Sequence, residues 1–148
     1  MDNNSCLLDM KDKVYLSWNW VEEQLNTIGD KLEGLELEFV SGIPRGGLIP
    51  AVMMSHVFGV KYISYSSAKM LPKDVREKVL VIDDIADTGH TLREADELGF
   101  KTATLAIRSG TTTVPHFQGT QINDDRWLVF PWEKLDSVPM QDYLVNRK

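Results

Sequence analysis

Trp18, Val21, Leu25, Ile28 and Leu32 recur at spacings of three and four, which draws one apolar stripe along a helix. Ser17 can cap its start, Glu22 and Glu23 suit its positive end, and Gly34 can terminate it. Trp20 lies off the stripe and reads as a partly buried surface residue or a subunit contact. Residues 37–40 form a short apolar strand, followed by the glycine-rich turn SGIPRGG at 41–47 and an apolar helix at 48–58. Residues 61–64 predict the next strand. The polar stretch 66–78 carries Pro72 and predicts a loop. Residues 78–83 (KVLVID) form an unbroken apolar run of the kind buried on both faces of a sheet. A glycine-containing turn leads into a helix at 91–98, with Gly99 as its C′ residue, then a strand at 101–107 (KTATLAI). Residues 109–126 read as loop and 127–130 as a last short strand.

Strands alternating with helices predict an α/β fold with a central, mostly parallel sheet flanked by helices. In such sheets ligands sit at the carboxyl ends of the strands, where both glycine turns fall. At 148 residues the chain reads as a single domain, 1–148, long enough to bury a substantial core. Its 43% hydrophobic and 26% charged residues exclude disorder, collagen and coiled coil as its main character.

Sixteen Lys and Arg stand against 22 Asp and Glu, a net charge of −6. That balance argues against a nucleic-acid binder working by bulk charge. One cysteine, Cys6, can form no internal disulfide. The N-terminus lacks the basic and apolar regions of a signal peptide, and the weakly polar stretch 46–60 is too short to span a bilayer. Together these predict a cytoplasmic protein that engages neither nucleic acid nor membrane.

The segment carrying most chemistry is VLVIDDIADTGHT, residues 79–91. A buried strand delivers Asp83 and Asp84, and a turn of small and hydroxyl residues then opens a helix. Backbone N–H groups in such a turn, with the helix dipole behind them, favour an anion such as phosphate. Thr88 and Thr91 add hydroxyl donors. Two adjacent carboxylates beside a phosphate site suit a diol and a divalent metal, because Mg²⁺ takes one or two carboxylates plus substrate oxygens. D-T-G also occurs in aspartic proteases, but those are all-β and need a second copy of the triplet. A receiver domain would place a phospho-acceptor Asp on a later strand, and 101–108 has none. A Walker A loop is absent.

The full pattern resembles the phosphoribosyl pyrophosphate (PRPP) signature of type I phosphoribosyltransferases: four apolar residues, two acidic, two apolar or small, then D-T-G-x-T. With it, Ser41-Gly42-Ile43-Pro44-Arg45-Gly46-Gly47 resembles the pyrophosphate loop of that family, in which the peptide bond before the Arg is cis. Trp127 to Glu133 resembles by position the base-binding segment of the small 6-oxopurine members, the xanthine–guanine and hypoxanthine type. Residues 14–18 and the helix after them resemble the opening of the same subfamily.

The resemblance implies a Rossmann-like core with a short flexible loop, 64–76, and a small hood. It implies transfer of a 5-phosphoribosyl group from PRPP to a purine base. Asp83 and Asp84 would bind the ribose hydroxyls, with Asp84 contacting Mg²⁺, the one cofactor expected. Asp87 would be the catalytic residue, facing the purine N7 as proton acceptor or hydrogen-bond partner. Ala86, Thr88, Gly89, His90 and Thr91 would cradle the 5′-phosphate, His90 through its backbone. Arg45 and Gly46 would hold pyrophosphate. Trp127 would stack on the base, Leu128 would read it through its backbone, and Arg108 would contact its oxo group where the family usually has Lys, a substitution that changes a point charge for a planar fork. Lys69, Lys73 and Arg76 make the loop basic. His56 and His116 receive no role. A homodimer or homotetramer is expected from the family. The same residues leave two other readings open: a PRPP- or nucleotide-binding regulator without turnover, and a phosphoribosyltransferase with another acceptor.

Overall fold

A computed structural model of the chain describes residues 12–87 and 89–133. The elements run β1 (Lys13–Tyr15), α1 (Trp18–Leu32), β2 (Phe39–Gly42), α2 (Leu48–Phe58), β3 (Lys61–Tyr62), α3 (Tyr65–Ala68), α4 (Lys73–Arg76), β4 (Val79–Ala86), α5 (His90–Glu97), β5 (Lys101–Arg108), β6 (Phe117–Ile122) and β7 (Trp127–Val129). Five strands form one sheet in the order β3-β2-β4-β5-β6, every neighbour parallel. β1 and β7 form a separate parallel pair, with Lys13 opposite Trp127 and Val14 opposite Leu128.

The central strand shows why the sheet needs two layers of helix. Successive residues of β4 point to opposite faces. Leu80 and Ile82 join Val21, Leu25 and Ile28 of α1 and Met54 of α2 in one core. Val79 and Val81 join Ala68 of α3 and Leu92 and Ala95 of α5 in the other. An apolar run without alternation is therefore buried on both sides. Ser17 caps α1, accepting a hydrogen bond from the Trp20 N–H at 3.0 Å, and Gly34 follows the helix in the left-handed conformation.

The chain order around the sheet places the ligand crevice. From β2 the chain steps outward to β3, then returns across β2 to β4 and continues the other way. That reversal opens a crevice at the carboxyl ends of β2 and β4. The 43–47 loop follows β2 and the 87–91 turn follows β4, so both glycine turns meet there. The 43–47 loop lies directly on β4: Ile43 N–H donates to the Ile82 carbonyl at 2.9 Å, and Gly47 N–H to the Ile43 carbonyl at 2.9 Å. A Cβ on Gly42 would collide with the Gly47 carbonyl, and one on Gly47 with the Ile82 carbonyl. Glycine is required here by backbone proximity.

Four features differ from the sequence expectations. Residues 109–126 are not all loop, because β6 adds an edge strand beside β5. Its polar side chains gave no apolar signal, and α1 holds it instead: Thr120 Oγ1 donates to Gln24 Oε1 at 2.9 Å and Lys31 Nζ to the Gln118 carbonyl at 3.0 Å. Residues 66–78 contain helical turns too short to show a period, and they are tied down. Arg76 Nε donates to the Leu98 carbonyl at 2.7 Å, while Lys69 pairs with Glu94 at 3.5 Å. Two of the three cations expected to make this loop basic, Lys69 and Arg76, thus tie it to α5 and the turn after it. Trp18 lies at the stripe's end but is 50% exposed, its ring centroid 5.9 Å from that of Trp132. β4 runs on to Ala86, so Asp83 and Asp84 lie within the strand rather than at its end. Trp20 is half-buried, edge-on to Phe130. No helix among the described residues is long and apolar enough to cross a membrane.

Two predictions follow from this packing. Gly47→Ala must displace the β2–α2 loop from β4, so it should cost about 1–3 kcal/mol in urea unfolding, the usual scale of overpacking. Tyr65 donates a hydrogen bond to Glu94 Oε1 at 2.8 Å; burial, that bond and the repulsion of a phenolate by Glu94 push its hydroxyl far above the ordinary 10.0. Below pH 10 both folded and unfolded Tyr65 keep the proton. Above it the unfolded chain releases a proton that the folded chain holds, so stability falls as pH rises. Tyr65→Phe should lose about 1 kcal/mol at pH 8 and show a shallower decline above pH 10, measured by urea melts at both pH values.

Candidate active site

Asp83 and Asp84 face the crevice from the end region of β4, each half-buried. Their carboxylates are held by the strand's own backbone: Asp83 Oδ1 accepts from the Asp84 N–H at 2.8 Å, and Asp84 Oδ1 from the Ile85 N–H at 2.7 Å. Thr91 Oγ1, from the first turn of α5, donates to Asp83 Oδ2 at 3.3 Å. The acidic pair and the helix start are thus one hydrogen-bonded unit. Opposite them lies the 43–47 loop. Gly46 approaches Asp84 so closely that a Cβ there would occupy the carboxylate's position. The Pro44–Arg45 peptide bond is cis, as the family resemblance implied. Arg45 is exposed and Gly46 buried.

The turn into α5 is shaped by Gly89, which caps the helix at φ +81°. A Cβ on Gly89 would come within 2.6 Å of Thr113 N and 2.8 Å of Thr111 Oγ1. The β5–β6 turn therefore buttresses the cradle, a neighbour that no motif in the sequence signals. His90 begins α5 with an exposed side chain. Ala86 is buried at the end of β4. Thr88, expected in the same cradle, lies outside the described residues.

Asp87 and Arg108 meet across the strand ends. Arg108 Nε donates to Asp87 Oδ1 at 3.3 Å, and Nη1 donates to the Asp124 carbonyl at 2.8 Å. The Arg108 side chain is 14% exposed and that of Asp87 31%, so the pair is only partly screened by water. Spacing along the chain could not reveal this partnership between residues 21 positions apart. Among the described residues, Oδ2 of Asp87 and Nη2 of Arg108 have no hydrogen-bond partner. One acceptor and one donor are left side by side. Arg108 also links Asp87 to the connection that leads into Trp127.

Trp127 is half-buried at the start of β7 and belongs to neither core cluster, whereas Leu128 beside it is buried in the core with Phe130. The two sequence candidates on β7 thus differ in burial, Trp127 being partly covered and Leu128 packed in the core. Trp127 Nε1 is buried without a partner among the described residues. A cavity of about 440 Å³ lies elsewhere, between the last turns of α1 and α2, and is lined by Leu32, Met54, Phe58 and Leu80. It contains none of the candidate site residues. Among the described residues no three His, Cys, Asp or Glu side chains converge as a metal centre. Asp83 and Asp84 nonetheless fit an ion that arrives with its substrate, since Mg²⁺ in phosphate sites needs only one or two carboxylates.

No protein-family model matches the chain. Among solved structures it is similar to a purine phosphoribosyltransferase from Pyrococcus horikoshii, at 32% identity and TM-score 0.70, covering 88% of this chain and 99% of that one. It shares its fold with the xanthine-guanine-hypoxanthine phosphoribosyltransferase of Helicobacter pylori, at 16% identity and TM-score 0.66, over 82% of this chain and 93% of that one. A hypothetical protein from Neisseria gonorrhoeae with bound ppGpp shares the fold too, at 20% identity and TM-score 0.68, over 86% and 92%. The two glycine loops at one topological switch point, the acidic pair between them and the extended match to the Pyrococcus enzyme agree: the chain belongs to the type I phosphoribosyltransferase family.

Proposed function

We propose that the protein transfers the 5-phosphoribosyl group from PRPP to a purine base bearing a 6-oxo group (hypoxanthine, guanine or xanthine), releasing pyrophosphate, in the cytoplasm. The observation that carries the choice of base is the Asp87–Arg108 pair. Its free Oδ2 and Nη2 offer an acceptor beside a donor. With its proton on N7, a 6-oxopurine presents a ring N–H donor beside its oxo acceptor on one edge, where adenine presents an amino donor in place of the oxo group. The 6-oxo edge therefore complements the pair, and the adenine edge opposes it with a second donor.

In the proposed reaction a ring nitrogen of the base bonds to C1 of the ribose as the bond from C1 to pyrophosphate breaks. The proton released from the purine ring passes to Asp87. The ribose carbon is cation-like at the midpoint, so most of the catalysis lies in holding base, ring and leaving group in line. Asp83 and Asp84 hold the ribose hydroxyls, with Asp84 the contact for Mg²⁺. When bound, Mg²⁺ neutralises charge on the leaving pyrophosphate. Arg45 and Gly46 hold that pyrophosphate, and the Thr88–Thr91 turn, with Ala86 below it, holds the 5′-phosphate. Trp127 stacks on the base and the Leu128 backbone reads its edge. A homodimer or homotetramer is part of the reading: α2 is apolar on all sides, yet Val52, Val57 and Phe58 stand exposed on it. A helix of that kind is usually covered.

A panel of hypoxanthine, guanine, xanthine, adenine, uracil and orotate, each with PRPP and Mg²⁺, should give nucleotide with one or more of the first three. Asp87→Asn should then lower kcat about 10²–10⁴-fold. Near wild-type turnover in that variant would remove Asp87 as proton acceptor. Tight PRPP binding with no pyrophosphate release from any base would instead favour a non-catalytic regulator.

A further inference from the structure

Trp127 is half-buried, its Nε1 covered, and it belongs to neither core cluster. Its backbone is held on both sides. On one side Trp127 N–H donates to the Asp12 carbonyl at 2.9 Å, and pairing with β1 continues from there. On the other side, the connection 123–126 is fastened to the end of β5. Arg108 Nη1 donates to the Asp124 carbonyl at 2.8 Å. Ser109 Oγ donates to Asn123 Oδ1 at 2.6 Å. Gln121 Nε2 donates to Ser109 Oγ at 3.0 Å and to Asn123 Oδ1 at 3.1 Å. The Asp124 carboxylate then closes the turn, accepting from Arg126 N–H at 3.1 Å and from Arg126 Nε at 2.8 Å.

We infer that Asn123 and Asp124 are positioning residues for the Trp127 ring, and through it determinants of affinity for the base. The inference rests on the reading of Trp127 as the stacking residue. A side chain outside the core clusters depends for its placement on the backbone that carries it, and a loosened loop must be ordered again whenever a base binds. Neither side chain is hydrogen-bonded to the two glycine loops among the described residues, so the effect falls on one substrate. Asn123 acts through its Oδ1, which gathers two donors. Asp124 acts through its carboxylate, which shapes the turn that presents its own carbonyl to Arg108.

The test is steady-state kinetics of Asn123→Ala and Asp124→Ala, with KM for PRPP and KM for the base measured separately. The base is whichever 6-oxopurine the wild type accepts. Loss of hydrogen bonds of this kind should raise KM for the base about three- to tenfold in each variant, while KM for PRPP stays within about twofold. Asn123→Asp and Asp124→Asn keep an Oδ1 acceptor, and each should bring KM for the base back near the wild-type value. A base KM unmoved in both alanine variants, or a PRPP KM that rises in parallel, overturns the inference while wild-type turnover leaves the proposed reaction standing. A wild-type protein silent with every base overturns both.

Discussion

The site depends on one backbone contact: the 43–47 loop lying against the end of β4 without a side chain between them. Ile43 N–H on the Ile82 carbonyl fixes the approach, and the bare α-carbons of Gly42 and Gly47 permit it. Because the loop is seated there, Gly46 faces Asp84 directly. The two glycine loops that flank the crevice are thus spaced by main chain. Main-chain spacing is rigid in a way that paired side chains are not, which suits a reaction governed by alignment.

Much of this was legible in the residues. The 79–91 segment announces strand, acidic pair, turn and helix start within thirteen positions, because each part is a local feature with its own signal. The stripe of α1 and its Ser17 cap are equally local. What escaped notice was decided by neighbours. β6 has the polar pattern of an edge strand and becomes one because Gln24 and Lys31 of α1 engage it. α3 and α4 are four residues each, shorter than the repeat that would reveal them. Trp18 keeps the helical spacing but stands where the core has already ended. The union of Asp87 with Arg108, and the β5–β6 turn behind Gly89, join segments that only the sheet order brings together.

The net charge of −6 has a different meaning once the site is in place. Asp83, Asp84 and Asp87 are three of the 22 acidic residues, and their charges meet a hydroxyl donor, a backbone N–H or a guanidinium. Anion binding in such a crevice draws on helix N–H groups and Arg45, which a count of Lys and Arg underreports. Bulk charge bears on long polyelectrolytes and says little about a small phosphorylated substrate.

The pairing of β1 with β7 joins residues 13–15 to residues 127–129. Among the described residues every other strand pairing connects segments far closer in sequence. Closing so long a loop has a high entropic cost and is deferred until the rest of the chain is compact. During synthesis β1 emerges first and waits for β7, so the five-stranded sheet and both glycine loops can be complete before that pair closes. The crevice between the two glycine loops is built early from local pieces, and the β1–β7 pair comes last.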